Sequence, residues 1–589
     1  DCTLLDVLMG SSDALPDSAS ADPPPAPVAW RVLGGGSRTR MRTKNGILDV
    51  PRARMPSPFP GEPPTHETVT DLDAATDLTD ADHAGVIAFS DGEELTAFVP
   101  AWSGQQLYWA IDGRTVLLST SARSIAKAIG ADVNGCFLSA SLIDSFPLGA
   151  SFRISPWNGV SAIAPFEVLH VNRDLATRTA QIPPDVAPTS ASDASVDAGI
   201  VRLRTALLEA THRRSQGTAS ITCDISGGVD SGANAYLLRA LHVDFTGVRA
   251  RANSEWNLDD IWAGHIINDL RIPHVDFPPI GSTSFTFDAT SGYPDGNVPD
   301  TPIMWSDTEG YVRALRDRLR TGPHVHFTGL GGDELFAPLP TLPWSLMRKR
   351  GIGAPRTAIR YCLRNRIPLR RGIPGLLSTT PYGEWLSREF HELAAHGTTR
   401  KDELAWSGHF AFPSYMSERG KNLALDLPFD PSGIQPLNRD RTVHQALESL
   451  LMQASITQQL GDVFSDSGPK WTSPFLDPQV IHAALALPMG MQRHASLNKP
   501  MLYKAMRGLM PREIFARATK GEYSSDAYTS ISRQKDQMER DLTGGALADL
   551  GIIDVNVLRE KFSLKLLSSE FLFELQELAS IERWARHVC

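Results

Sequence analysis

Along the second half of the chain, short apolar runs alternate with stretches whose apolar residues recur every three or four positions. Ile200, Leu203, Leu207 and Ala210 form a helical stripe, and residues 219–225 then read as a strand of β-favouring residues. From Ser231 the set Ala233, Leu237, Leu238 and Leu241 returns to helical spacing. The series continues as strand 245–249, helix 258–270, strand 274–277, helix 308–320 and strand 324–328. Such alternation predicts an open parallel sheet with helices on both faces, whose ligands sit beyond the carboxyl ends of the strands. Beyond 440 the pattern reads helical to the end. Phe571, Leu575, Leu578, Ile581 and Trp584 make a last amphipathic helix that caps the core.

Residues 85–170 have a different character. Leu107–Ala110 and Thr115–Leu118 flank Asp112-Gly113, a hairpin signal, and a further short strand falls at Glu167–Val171 after the segment Ser155-Pro156-Trp157-Asn158-Gly159-Val160. Residues 11–27, rich in Pro and Ser, read as a flexible loop, and 183–197 as an interdomain linker. Asp71, Asp73, Asp77, Asp80 and Asp82 read as a solvated acidic face. The domains expected are therefore 1–185, β-rich, and 195–589, α/β.

Composition narrows the class. A chain of 589 residues that is 42% hydrophobic can bury a large core in at least two domains. A net charge of −10 argues against non-specific binding to nucleic acid. The five cysteines (Cys2, Cys136, Cys223, Cys362 and Cys589) are scattered and lack C-x-x-C spacing, which points to a reducing cytoplasm and away from a zinc site. No apolar run approaches the length of a membrane span, so no membrane partner is expected. The first residue is Asp1, not Met, which points to a processed or trimmed N-terminus. One region breaks the acidic balance. Between 340 and 375 lie Arg348, Lys349, Arg350, Arg356, Arg360, Arg364, Arg366, Arg370 and Arg371 with no acid among them. That stretch is a solvated helical face, a set of internal ion pairs, or a dock for an acidic peptide or partner.

The candidate chemistry lies where strand 219–225 meets its helix, in Ile221-Thr222-Cys223-Asp224-Ile225-Ser226-Gly227-Gly228-Val229-Asp230-Ser231. Glycines let a backbone approach an anion, successive N–H groups point into the turn, and the helix N-terminus adds partial positive charge. Backbone N–H groups from Ser226 to Ser231, with the Ser226 hydroxyl, suit a pyrophosphate, and Asp230 suits a Mg²⁺ ion on its oxygens. Phe327-Thr328-Gly329-Leu330-Gly331-Gly332-Asp333-Glu334-Leu335-Phe336 repeats the design, so Asp230 and Asp333 can share one magnesium across adjacent strand ends.

With both motifs in view, the sequence resembles the asparagine synthetase family, whose ATP-pyrophosphatase domain carries S-G-G-x-D-S and then G-x-G-G/S-D-E. Ser473-Pro474-Phe475-Leu476-Asp477, Pro488, Lys499-Pro500-Met501-Leu502-Tyr503-Lys504-Ala505 and Arg517-Ala518-Thr519-Lys520-Gly521 resemble later family motifs in order, with Tyr503 where arginine is usual. The resemblance implies ATP and Mg²⁺ as cofactors. It implies Lys520 as the catalytic lysine beside Asp230 and Asp333, and Ser226, Gly227, Gly228, Asp230, Ser231, Val248, Gly331, Gly332 and Lys504 as the nucleotide set, with Lys499 a second candidate on the phosphates. Glu522 and Asp526 are candidates for the base by proximity to Lys520 alone.

The N-terminal half departs from the family. Its glutaminases use an N-terminal cysteine followed by Gly-Ile and by Arg-Gly and Asn-Gly-Glu loops, whereas Cys2 is followed by Thr-Leu-Leu and those loops are missing. The resemblance therefore implies a degenerate glutaminase-like (Ntn-type) domain ahead of a PP-loop synthetase domain. It implies a substrate amine as the nucleophile. Among such relatives the sequence looks most like lasso-peptide cyclases, which close a macrolactam in a ribosomal precursor peptide beside a leader peptidase and a leader-binding protein. β-Lactam synthetases carry a tyrosine where Leu330 stands. Asparagine synthesis from ammonia and an inactive scaffold are the other readings.

Overall fold

The computed structural model describes residues 29–33, 38–43, 46–51, 85–184, 186, 193–218, 220–251, 257–277, 292–293, 296–303, 315, 324–348, 354–364, 366–463, 469–492, 497–517, 521, 524–564 and 568–589. The expected loop 11–27, the acidic cluster at 71–82, Cys2 and nearly all of helix 308–320 lie outside these. The chain forms two compact units. One runs through residue 134 and again over Phe152–Pro184; the other comprises Gly135–Ser151 and Asp185–Cys589.

The first unit is β-rich. Strands β1 (Ala29–Val32), β6 (Leu107–Asp112), β7 (Thr115–Ser119) and β8 (Ser161–Ile163) form one sheet in the order β1-β7-β6-β8. Strands β2 (Arg38–Thr43), β3 (Gly46–Pro51), β4 (Ile87–Ser90), β5 (Glu94–Phe98), β9 (Glu167–Asn172) and β10 (Thr177–Gln181) form a second, in the order β10-β9-β5-β4-β3-β2. The hairpin expected at Asp112-Gly113 is β6–β7, which pair antiparallel down to Asp112 and Thr115. Val116 and Leu118 of one sheet share a core with Leu95, Ala97, Leu169 and Val171 of the other, so alternate residues of each strand face inward. Helix α1 (Ala122–Ile129) follows β7. Ser155–Val160 leads into β8, with Trp157 in an isolated bridge to Val133.

The second unit is built on a wholly parallel sheet, β13 (His274–Phe277), β12 (Thr246–Ala250), β11 (Ser220–Asp224), β14 (His324–Phe327) and β15 (Lys470–Thr472), in that order. Four of these strands follow the sequence pattern. The fifth, Lys470-Trp471-Thr472, corrects the helical reading beyond 440: three residues are too short to show a period, and the sheet fixes them as a strand by pairing. The stretch read as a linker already contains the start of helix α2 (Asp193–Ser215). Helices α3 (Val229–Ala240), α4 (Asp259–Leu270) and α5 (Gly332–Phe336) follow β11, β12 and β14. After them come α6 (Leu342–Arg348), α7 (Ala354–Arg364), α8 (Leu369–Leu377), α9 (Tyr382–His396), α10 (Arg441–Val463), α11 (Pro478–Leu485), α12 (Pro500–Ala505), α13 (Ser524–Thr543) and α14 (Ser569–Val588). In α14 the predicted stripe is fully inside, with Leu575, Leu578 and Trp584 at 0% exposure. Among the described residues no helix is long and apolar enough to cross a membrane.

Candidate active site

Both glycine corners stand at the carboxyl ends of adjacent strands, β11 and β14. Here the strand order reverses. The chain goes from β11 to β12 and β13 on one side and then returns to β14 on the other. Ligands of open α/β sheets bind at such a switch point.

The first corner is knit from its own residues. Ser226 Oγ and Ser231 Oγ lie 2.9 Å apart, and the Gly228 N–H donates to Ser226 Oγ at 3.2 Å. Gly227 has φ of +77°, and a Cβ there would meet the Asp259 carbonyl oxygen at 2.3 Å, so this position takes only glycine. Helix α3 then starts at Val229, and the N–H groups of its first turn have no partner inside the helix, the usual donors for a bound anion.

The second corner is held from outside. Asn234 Nδ2 on α3 donates to the Thr328 carbonyl at 2.8 Å, and Ser473 Oγ donates to the Leu330 carbonyl at 2.6 Å. Gln453 Nε2 of α10 donates to Glu334 Oε1 at 3.0 Å, and Phe336 packs on Phe475 at 5.9 Å. The Ser-Pro-Phe-Leu-Asp motif is therefore the buttress of this corner. Its Asp477 is buried, caps α11 at the Gln479 N–H and pairs with Arg213 and Arg214 of α2.

The two corners touch. A Cβ on Gly332 would lie 2.3 Å from Asp230 Oδ1, so the second glycine turn is what lets the Asp230 carboxylate fit against it. Between the acids stands Lys499, whose Nζ is 2.6 Å from Asp230 Oδ1 and 2.7 Å from Asp333 Oδ1. It occupies the N-cap position of α12 with φ of +51°, just ahead of Pro500. The buried ammonium answers two carboxylates at once. Burial, with the charges of Asp333 and Asp230 close by, holds Glu334 above the usual glutamate range.

A third element meets the first corner. The Arg517 guanidinium donates to the Gly227 carbonyl and to Asp259, both residues being 6% exposed. The same Asp259 carboxylate accepts from the Gly521 N–H at 3.1 Å, and Asn498 Nδ2 donates to the Arg517 carbonyl at 2.8 Å. Arg517 and Gly521, the residues that bracket 518–520, are thus both tied to the start of α4. Lys520 and Glu522 themselves, and the side chain of Asp526, lie outside the described residues.

Below the corners, Thr222 Oγ1 is 2.7 Å from His324 Nε2 and 2.8 Å from His326 Nδ1, and His326 Nε2 is 3.1 Å from Asp224 Oδ1. This buried seam joins β11 to β14. Burial, and then the His326 charge, push the His324 pKa down to about 4.

Ser226, Gly227, Gly228, Asp230 and Ser231 therefore lie together with Gly331, Gly332 and Asp333. Val248 does not present its side chain to them: it is 1% exposed in the core with Phe277 and Trp471, and its carbonyl accepts the Ile225 N–H at 2.7 Å. Lys504 is exposed on α12, five residues past the lysine that reaches the carboxylates. Asp259 and the anchoring role of Arg517 had no signal in the sequence, since their pairing spans more than half of the second unit. A cavity of about 820 Å³ is lined by residues between Thr379 and Arg439 and by none from either corner.

Two carboxylates converging on one cation fit magnesium, which takes oxygen ligands and is commonly held by one or two carboxylates plus substrate phosphates. Asp230 and Asp333 would hold it, and it would supply charge neutralisation on the phosphate oxygens. Among the described residues no group of three or more metal-ligating side chains occurs.

No curated protein matches the chain. Residues 202–586, about two thirds of the chain, match the Asparagine synthase family, over a span that contains both corners, Lys499 and Arg517. Membership implies an ATP-dependent amide ligase. Its two acid-bearing glycine corners at one switch point and the matched span together establish that the chain belongs to the asparagine synthase family.

Proposed function

We propose that this protein closes a macrolactam in a ribosomal lasso-type precursor peptide, with ATP cleaved to AMP and pyrophosphate. A carboxylate is a poor electrophile, and adenylation gives it a phosphate-linked leaving group. In this reading an Asp or Glu side chain of the cleaved peptide attacks the α-phosphate. The Ser226–Ser231 turn and the start of α3 receive the departing pyrophosphate, and Lys499 balances its charge beside Asp230 and Asp333. The peptide's own α-amine, of reference pKa about 8, then attacks the acyl-adenylate. Lys520 is assigned to the negative charge on the tetrahedral intermediate, and the clamp of Arg517 and Gly521 on Asp259 sets the ends of its segment.

The observation that carries the ligase chemistry is the convergence of Asp230 and Asp333 on a single cation beside an anion-binding turn. The finer assignment rests on the absence of the family's Arg-Gly and Asn-Gly-Glu loops from the sequence, which favours an internal amine over ammonia, and on Leu330, which disfavours β-lactam synthesis. The β-rich first unit is on this view a glutaminase-like, Ntn-type domain without its chemistry. A precursor peptide, a leader peptidase and a leader-binding protein are the partners it calls for. The test is incubation with ATP, Mg²⁺ and candidate core peptides, followed by mass spectrometry. Loss of one water from a peptide, with AMP and pyrophosphate released in step, is the expected result. Asparagine formed from aspartate and ammonia, with every peptide unchanged, would overturn it.

A further inference from the structure

The arginine-rich stretch folds into α7 and α8, whose inner faces are fixed and whose outer faces are patterned. Ala358 and Cys362 of α7 pack with Ile367, Leu376 and Leu404 in one buried cluster. On the outside of α7, Arg356, Arg360 and Arg364 recur every fourth residue and all are exposed. On the outside of α8 the same spacing carries Leu369, Ile373 and Leu377, exposed by 38%, 46% and 62%. With Leu363, these are four of the nine large apolar side chains exposed among the described residues. Arg366, Arg370 and Arg371 are exposed too, and none of these six arginines has an ion pair among the described residues. A merely solvated face has no need of aliphatic side chains in register, and an internal ion-pair network would have shown its acids.

The surface continues into a hollow. Two residues beyond Leu377, Thr379 begins the lining of the 820 Å³ cavity, which Arg388, Arg439 and Trp406 also line, with Glu384 as its one acidic residue. Behind it Arg441 is 2% exposed. It donates to the Leu404 carbonyl at 2.7 Å and lies over Trp344 and Trp406, with no carboxylate at ion-pair distance among the described residues. Of these cations Arg388 is paired with Glu389 at 3.1 Å, whereas Arg439 and Arg441 have no carboxylate at ion-pair distance among the described residues, so the wall keeps positive charge.

We propose that α7, α8 and this cavity form a docking surface for an acidic amphipathic peptide segment. Aliphatic residues of the segment lie along Leu369, Ile373 and Leu377, and its carboxylates meet the arginines of α7 and the mouth of the cavity. Charge complementarity selects this occupant. An anionic membrane offers the same two chemistries, but its extended charged plane repels a molecule of net charge −10, whereas a peptide touches the patch alone.

The probe is a fluorescein-labelled helical peptide of about 18 residues, ~27 Å long, with leucine at every fourth position and glutamate between, titrated into the full chain by anisotropy. Expected is a Kd at or below roughly 10 μM at low salt, weakened about tenfold between ~0.05 M and ~0.3 M salt. Combining Arg360→Glu, Arg364→Glu and Arg370→Glu weakens it at least about tenfold, with melting temperature and ATP–pyrophosphate exchange unchanged. Combining Ile373→Ser and Leu377→Ser weakens it by about fivefold while keeping the salt dependence. Equal binding by the wild type and the arginine variant overturns the proposal, as does no binding at ~100 μM peptide. Binding to phosphatidylserine vesicles in place of the peptide overturns it in favour of a membrane. None of these readouts depends on which amide the enzyme makes.

Discussion

The two glycine corners carry nearly the same motif and are stabilised in opposite ways. At Ser226–Ser231 the turn closes on itself through Ser226 and Ser231 and runs into a helix of 12 residues. At Gly329–Glu334 the helix has five residues, and the turn rests on Ser473, Gln453 and Asn234 from three other elements. A short helix cannot hold its own geometry, because nucleation costs more than one turn of hydrogen bonds returns. The first corner thus closes locally, with Arg517 tying down its Gly227 carbonyl, and the second exists only inside the completed sheet.

The comparison can be tested by breaking each side. Asp230→Asn and Asp333→Asn remove charge from the shared cation site. Each is expected to slow ATP–pyrophosphate exchange by about 10²–10³, with the half-exposed Asp333 variant keeping the wild-type melting temperature. Arg517→Met removes the guanidinium that faces the buried Asp259 carboxylate. A loss of roughly 3–5 kcal/mol in denaturant unfolding, with exchange activity falling further than Asp333→Asn predicts for charge alone, would separate anchoring from neutralisation.

The seam between the corners gives a pH test. The folded-state pKa of His324 lies near 4, below its ordinary value of 6.5, so the unfolded chain binds more protons in that window. Its stabilising effect is complete above pH 6.5 and is lost as the pH falls toward 4. The loss is at most about 3 kcal/mol; urea midpoints across this range should fall in the wild type and flatten in His324→Gln.

Smaller substitutions sharpen the contrast. Gly332→Ala places a methyl group against Asp230 and should cost exchange activity about tenfold or more, a barrier change near 1.4 kcal/mol. Gly228→Ala meets Ser226 Oγ at 3.1 Å and Ser231 Oγ at 3.9 Å, and should cost far less. Ser473→Ala removes one hydrogen bond to the Leu330 carbonyl, about 1 kcal/mol. A Ser473→Ala enzyme with unchanged affinity for ATP would contradict the view that the second corner is borrowed.

The same contrast explains what could be read from the sequence. The first corner was legible in full, because its strand, turn, acid and helix are contiguous and each has its own local pattern. The acids of the second were legible for the same reason, and Lys499 only through the family motif that it opens. Its supports were not, since strand β15 has three residues and Ser473 to Leu330 is a spacing that no periodicity reports; nor was the clamp of Arg517 on Gly227 and Asp259 at the first corner. The arginine stretch was visible as charge, but the aliphatic stripe beside it emerged only once α8 turned its glycines inward.

Strand β15 reaches the sheet from beyond residue 470. During synthesis the open edge of β14 must therefore wait, unpaired, while well over a hundred residues leave the ribosome. A nascent chain paused before that point carries an exposed parallel edge and an unsupported second turn, the kind of surface on which chains stick to one another. Yield in a foreign host should thus depend on translation speed and on chaperones that shield β14 until its late neighbour arrives.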